Sequence, residues 1–400
     1  MSGRTAAFLL MAFTLLVIAL STGTAAYYLL SAMLGAMALI AFASVLATLL
    51  TLDIGLAAPK KRAVRGETVT VRLSVRRRSL LPPGLVEMEV SAPDEGRGGG
   101  RVIVVSAPIR GREYRYAVKC AHRGVYEVGV TRLRVTDIFG LFSFSRRVKG
   151  RLARVEVTPR LGRAPAMVVQ PSDTGPQGRV RMTEDMASPS GVRAWQEGDS
   201  LKKVHWKLTA RRREMMVRTF EESARPDFLI LIDCSPVNAM QSRVRTIEDA
   251  LCEAAAAAAL AQMEAGYPVR MPLNTKNPSE VSGQMPGEIV HFLNALTWLV
   301  FDSPYSYEQV IELEMRRLLR TGALILVSTR LNAALAELAL RVRQLGVAVQ
   351  YVWVAETARG EHEEMKERLE IMGVKVRRVN PWEEPRPSAE NSEANQGVTQ

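Results

Sequence analysis

Residues 227–238, DFLILIDCSPVN, decide how the second half of this chain folds. Phe228 to Ile232 is an unbroken apolar run. A run of that length and composition reads as a strand buried on both faces of a parallel sheet. Asp233 follows at once, so a carboxylate stands at the strand's carboxyl end, where open α/β sheets bind their ligands.

Moving outward, strand and helix patterns alternate. Helix is expected over 246–265, rich in alanine and closed by Gly266, then strand over 267–273. Helices over 288–299 and 307–319 precede a second buried strand over 322–328. A helix over 331–345, a strand over 346–354, a helix over 361–372 and a strand over 374–379 complete the series. Such alternation implies a doubly wound sheet with helices on both faces.

Just before this domain lies 191–213, GVRAWQEGDSLKKVHWKLTARRR. Asp199 is placed to cap a helix in which Leu201, Val204 and Leu208 recur at helical spacing. A strand over 215–220 follows. Lys202, Lys203, Lys207, Arg211, Arg212 and Arg213 make a positive patch suited to an acidic partner, a phosphate or a lipid headgroup. Trp195 and Trp206 read first as packing anchors, since aromatic rings chiefly bury area.

The spacing Arg193-Ala-Trp195-x-x-Gly198-Asp199, then His205-Trp206-Lys207, then Ala210-Arg211, resembles the signature of the domain-of-unknown-function 58 family. That family consists of membrane-anchored proteins with a von Willebrand factor A-like domain, and many are encoded beside MoxR-type AAA+ ATPases. Trp195 stands where the family commonly has Tyr. The resemblance returns upstream, in Arg123-Gly124-Val125-Tyr126 and in Asp137-Ile-Phe-Gly-Leu-Phe142, where Ile138 replaces the usual Pro. It implies a further comparison: Asp233-Cys-Ser235-Pro-Val237 is similar to the Asp-x-Ser-x-Ser loop with which von Willebrand A domains hold a divalent cation. Asp233 and Ser235 are hard oxygen ligands suited to Mg²⁺. Val237 cannot coordinate, and Arg330 follows Ser328 where the metal-binding version places an aspartate. Both features oppose a functional Mg²⁺ site.

The amino-terminal end is of another kind. No charged side chain occurs from Thr5 to Leu52. The run is about twice the ~20 residues that one helix needs to cross a bilayer. Residues 21–24, Ser-Thr-Gly-Thr, divide it into helices near 6–20 and 26–52. A helical hairpin satisfies its own backbone in lipid. Arg4 before it and Lys60, Lys61, Arg62 and Arg65 after it place both ends in the cytoplasm. The alternative is a cleaved signal peptide ending near Ala26. Ser31, Ala32, Gly35, Ala36, Ala38 and Ala43 suit close helix packing, most simply of the two helices on each other, with self-association as the alternative.

Between hairpin and signature, short alternating runs separated by turn residues predict strands. They fall at 68–75, 85–90, 101–105, 113–118, 126–130, 132–135, 142–148 and 153–157. Asp137 is expected to bond its downstream backbone and Gly140 to supply a positive φ, so that Phe139 and Phe142 turn into the core.

The expected architecture is therefore multi-domain. Two transmembrane helices (1–58) lead to a β-rich, immunoglobulin-like sandwich (59–165), then a linker with the signature (166–224). An α/β doubly wound, von Willebrand A-like domain (225–380) and a disordered tail (381–400) follow. Lys and Arg exceed Asp and Glu by 53 to 41, a net charge of +12. The excess is too dispersed to call for nucleic acid. Three cysteines, far apart, form no disulfide framework or zinc spacing. The four histidines, His122, His205, His291 and His362, show no paired-ligand spacing, and no Walker-type phosphate loop occurs. No catalytic constellation emerges. The leading expectation is a non-enzymatic adaptor at the cytoplasmic membrane that engages a MoxR-type AAA+ ATPase or its client. The alternatives are an ATPase-independent envelope-assembly scaffold working through the β domain, and a metal-dependent hydrolase.

Overall fold

The computed structural model describes residues 3–57, 61–79, 84–91, 100–105, 111–148, 152–162, 169, 189–196, 204–220, 227–318, 321–357 and 360–383. The chain divides into two compact units, 1–158 and 159–400.

The first unit begins with α1 (Gly3–Thr22) and α2 (Ala25–Thr51), both long and apolar enough to cross a membrane. They are joined through Gly23, whose φ of 67° is left-handed and whose N–H donates to the Ala19 carbonyl at 2.9 Å. Glycine adopts that conformation without a Cβ penalty. Of the small residues on α2, Ser31, Ala38 and Ala43 are half-buried. Ala32, Gly35 and Ala36 are exposed, and open space surrounds the place a Gly35 Cβ would take.

Among the described residues nine strands follow: β1 (Leu52–Ala57), β2 (Arg62–Val64), β3 (Thr68–Arg77), β4 (Leu85–Ser91), β5 (Gly100–Val105), β6 (Arg112–Lys119), β7 (Gly124–Thr136), β8 (Ser143–Arg147) and β9 (Leu152–Thr158). They form a three-stranded sheet, β1-β3-β6, and a larger one, β2-β9-β7-β4-β5, with β8 added on β7. In β3 burial alternates residue by residue, as its alternating sequence requires. Leu73 and Val75 from the small sheet meet Val86, Met88, Val130 and Val135 from the large one in a shared core. The two strands expected at 126–130 and 132–135 are one strand, β7. Its first half pairs with β9 and its second with β4 and β8, and the β4 register shifts between Glu89 and Val90. β1 and β2 were not expected. β1 continues directly from α2, where the apolar run conceals the change from helix to strand. The Leu81-Pro-Pro turn residues and most of the 96–100 glycine turn lie outside the described residues.

The second unit opens with β10 (Pro189–Ala194), α3 (Trp206–Arg212) and β11 (Met216–Phe220), the strands paired antiparallel. Then come β12 (Asp227–Ile232), α4 (Gln241–Glu264), β13 (Val269–Leu273), β14 (Ser279–Gly283), α5 (Ile289–Trp298), α6 (Tyr307–Met315), β15 (Thr321–Ser328), α7 (Ala333–Gln344), β16 (Ala348–Val354), α8 (Gly360–Ile371) and β17 (Lys375–Val379). The sheet order is β14-β13-β12-β15-β16-β17, parallel except for β14. β14 escaped the sequence reading because Ser279–Gly283 is a largely exposed edge with no apolar period. Along β12, Phe228, Ile230 and Ile232 face α4 and α5, while Leu229 and Leu231 face α6 and α7. The alanines of α4 are buried from Ala254 to Ala261, with small side chains that let a long helix lie close on the sheet. Of the expected tail, residues 384–400 lie outside the described residues.

Strand order reverses between β12 and β15, and Tyr307 at the start of α6 bridges them. Its buried hydroxyl donates to the Leu231 carbonyl at 2.7 Å and accepts from the Val327 N–H at 3.1 Å. Burial holds its phenol well above the ordinary range, so it stays a neutral donor. Tyr307→Phe leaves both backbone groups short of a partner and should lower stability by about 1–3 kcal/mol. Urea unfolding of the detergent-solubilised chain checks this, with the midpoint falling and the slope unchanged.

Candidate functional site

The point of strand-order reversal is where an open α/β sheet leaves a crevice at the strands' carboxyl ends. Asp233 stands there at the end of β12, buried, with its N–H donating to the Val327 carbonyl at 2.9 Å. Ser328, also buried, stands at the end of the neighbouring β15 and donates its hydroxyl to Asp233 Oδ2 at 2.7 Å. Arg330 completes the group. Its Nε reaches Oδ2 at 3.2 Å, and its Nη2 reaches Oδ1 at 3.1 Å and Oδ2 at 3.0 Å. Ser235 donates its N–H to Oδ1 at 3.2 Å, and its hydroxyl lies between that oxygen and Arg330 Nη2.

Two aromatic residues of β16 hold the loop that carries Arg330. Tyr351 donates its hydroxyl to the Arg330 carbonyl, and Trp353 donates Nε1–H to the Thr329 carbonyl at 3.1 Å. They are two residues apart on one strand, so both point to the same face. His362 stacks on Trp353 with ring centroids 5.3 Å apart. Asn332 caps α7 by accepting from the Leu335 N–H at 2.8 Å, and its amide donates to Glu308 at 3.2 Å. Partial burial of Glu308 works against ionisation. Hydrogen bonds from its own backbone and Asn332, with the charge of Arg330, outweigh it and hold the carboxyl below the usual range.

A divalent cation does not fit this arrangement. Both oxygens of Asp233 already accept several hydrogen bonds, and a guanidinium occupies the side from which a metal would approach. Its fixed positive charge repels a second cation at that distance. Among the described residues no group of three or more His, Cys, Asp or Glu is arranged to hold a metal. Asp233 and Ser235 are hydrogen-bonded to each other, and Arg330 bonds both oxygens of Asp233. Glu308, Asn332, Tyr351 and Trp353 were not foreseen, and only the position of Arg330 after Ser328 pointed to the group they support.

The signature residues form a separate feature. α3 starts at Trp206, not near Asp199. His205 is its cap, with Nδ1 accepting from the Leu208 N–H at 3.2 Å. Val204, expected inside the helix, is buried in a β-bridge to Val217. Gly198 and Asp199 lie outside the described residues. Arg213, at φ 58°, closes the other end, its N–H donating to the Thr209 carbonyl at 2.9 Å. Arg193 and half-buried Trp195 belong to the β10–β11 hairpin and its end, where the Trp195 N–H donates to the Met215 carbonyl at 2.8 Å. Trp206 is not a packing anchor: it is 66% exposed. Lys207, Ala210, Arg211, Arg212 and Arg213 are exposed beside it. The two basic residues of the last turn also suit the helix's negative end.

The third motif group is structural. Tyr126 of Arg-Gly-x-Tyr donates its hydroxyl back to the carbonyls of His122 and Arg123, at 3.2 and 3.1 Å, and closes its own turn. Asp137 is buried, and its carboxylate accepts from the N–H groups of Phe139 and Phe142. Gly140 takes φ 69°. The bend is as expected, but its side chains are not. Phe142 is partly buried against the core, whereas Ile138 and Phe139 are 59% and 54% exposed.

Residues 191–361 match the model of a family described as "Protein of unknown function DUF58". No curated protein is similar enough to match. Among solved structures, one likeness is to a β-glucosidase from Listeria innocua in complex with glucose, at 11% identity and TM-score 0.17, covering 26% of this chain and 16% of that one. Another is to Spo0M, a sporulation control protein from Bacillus subtilis, at 11% identity and TM-score 0.16, covering 36% and 58%. A third is to Cwp6 from Clostridium difficile, at 9% identity and TM-score 0.19, covering 82% and 46%. The chain spans less than two thirds of each of these structures, and likenesses this weak carry no argument.

Arg330→Met leaves Asp233 buried without its counter-charge. It should cost about 3 kcal/mol, the low end for breaking such a pair because Arg330 retains water contact. Adding Asp233→Asn should restore most of the loss, as a double-mutant cycle in urea would measure. Calorimetric titration of the solubilised wild type with Mg²⁺ should show no binding at this crevice.

Proposed function

We propose that this chain, a DUF58-family protein over residues 191–361, is a membrane-anchored adaptor that docks a MoxR-type AAA+ ATPase or that ATPase's client and breaks no bonds itself. The observation that carries this reading is Trp206. A tryptophan 66% exposed on a short helix locked at both ends, flanked by Lys207, Arg211 and Arg212, has the composition of an interface centre. Its neighbours favour an acidic partner surface.

Three further features support the reading. Arg330 already neutralises Asp233, the carboxylate that the hydrolase alternative would need as a metal ligand. The two apolar helices supply an anchor. The basic residues Arg4, Lys60, Lys61, Arg62 and Arg65 at its outer ends favour a two-pass topology in the cytoplasmic membrane, with both units inside the cell. We read the second unit as von Willebrand A-like, on a central parallel sheet with one antiparallel edge. We read the paired sheets of the first as an immunoglobulin-like sandwich.

Affinity purification from solubilised membranes, with and without ATP, tests the proposal. An AAA+ ATPase should be recovered with the wild type. An aromatic anchor at an interface centre is worth about 2 kcal/mol or more, so Trp206→Ala should lower recovery at least about tenfold. Recovery of no ATPase, or equal recovery with Trp206→Ala, overturns the reading.

A further inference from the structure

The bend between β7 and β8 meets the apolar hairpin at one level. Thr5 of α1 donates its hydroxyl to the Leu141 carbonyl. Phe42 of α2 packs edge-on against Phe142 and Phe144, with centroids 5.6 and 6.0 Å apart. At 1.5 Å per residue, Phe42 lies about 27 Å along α2 from the Thr24 turn, and Thr5 lies about 26 Å along α1 from Thr22. Hydrocarbon in a bilayer is about 30 Å thick. Both contacts therefore fall at the edge of the hydrocarbon opposite the turn. Beyond that level one face of α2 is covered by protein: Ser44, Val45 and Thr48 are buried, and Val45 joins the core of the paired sheets, while Leu46 and Leu50 stay exposed.

We infer that the 137–144 bend is a membrane wedge, with Ile138 and Phe139 inserted into the interfacial layer beside the hairpin. The inference rests on the hairpin spanning a bilayer, as proposed above. Ile138 and Phe139 are the exposed tip of a bend held rigid by Asp137 and Gly140, at the level where lipid begins. A fixed bend loses little conformational freedom on insertion. Aromatic and aliphatic side chains are favoured in that layer. Phe144 is 43% exposed and follows on β8; Arg146, exposed two residues further along the same face, stands at the depth of the phosphates. Apolar tip, then aromatic, then cation is the order in which a bilayer changes from tails to anionic headgroups. The same placement accounts for an α2 longer than one crossing requires: its last residues anchor the β unit against the membrane surface.

Spin labelling of the full chain in phosphatidylcholine–phosphatidylglycerol vesicles tests the wedge. The native cysteines Cys120, Cys234 and Cys252 are buried and leave single introduced sites addressable. Ile138→Cys and Phe139→Cys each carry a nitroxide, with Leu39→Cys, exposed on α2 about one turn inside the level of Phe42, and Ile371→Cys on exposed α8 as references. Accessibility to oxygen against a water-soluble nickel chelate reports depth. The ratio at 138 and 139 should shift from the Ile371 value towards that of Leu39, and Arg146→Glu should move it back. Aqueous values at 138 and 139 with Leu39 in lipid overturn the wedge and leave the anchor standing. Aqueous values at Leu39 as well overturn both. Protection of 138 and 139 from both reagents also overturns the wedge, in favour of a protein contact at the bend.

Discussion

Asp233 is a carboxylate removed from water at the end of the central strand of the second unit. Burying an unpaired charge is costly, so the surrounding structure must neutralise it. Everything near the crevice follows from that requirement. Ser328 and Ser235 supply hydroxyls, Arg330 supplies the charge, and Tyr351 with Trp353 fix the loop that presents it. A metal would meet the same need with a different ligand set. Here the protein uses its own cation, Arg330, which bonds both oxygens of Asp233.

A second constraint acts on the first unit. A helix 27 residues long is more than a bilayer crossing needs. One face of its last turns packs on the paired sheets, so the apolar helix and the β core share residues, Val45 among them. That sharing holds the bend at 137–144 against the hairpin. A β unit tied in this way keeps one defined face to the two apolar helices, unlike a module on a free linker.

The exposed α3 is then a third, separate device. It is short, and short helices are marginal in isolation. Its fixation by His205 at one end and left-handed Arg213 at the other makes Trp206 a pre-positioned side chain. An interface built on such an anchor loses less entropy on binding than one built on a loop.

Several features were legible in the residues themselves. The apolar run from Thr5 to Leu52, the alternation in β3 and the unbroken run of β12 each encode burial directly, because hydrophobic period and length are local properties. The bend at Asp137 and Gly140 was legible for the same reason: side-chain-to-backbone bonding and positive φ are decided within a few residues. The direction of the side chains on that bend was not. Phe139 points out because Phe142 and Leu141 take the inward places against α1 and α2, which are more than ninety residues away in sequence. The exposure of Trp206 and the start of α3 were likewise decided by Val204 pairing with Val217 across the hairpin. The clearest case is the crevice. Sequence alone identified Asp233, Ser235 and an adverse arginine, but residues 95 and 97 positions apart met only when β12 and β15 became neighbours. A charge in a sequence has no partner until the sheet order assigns one, and the parallel pairing of β12 with β15 made that assignment.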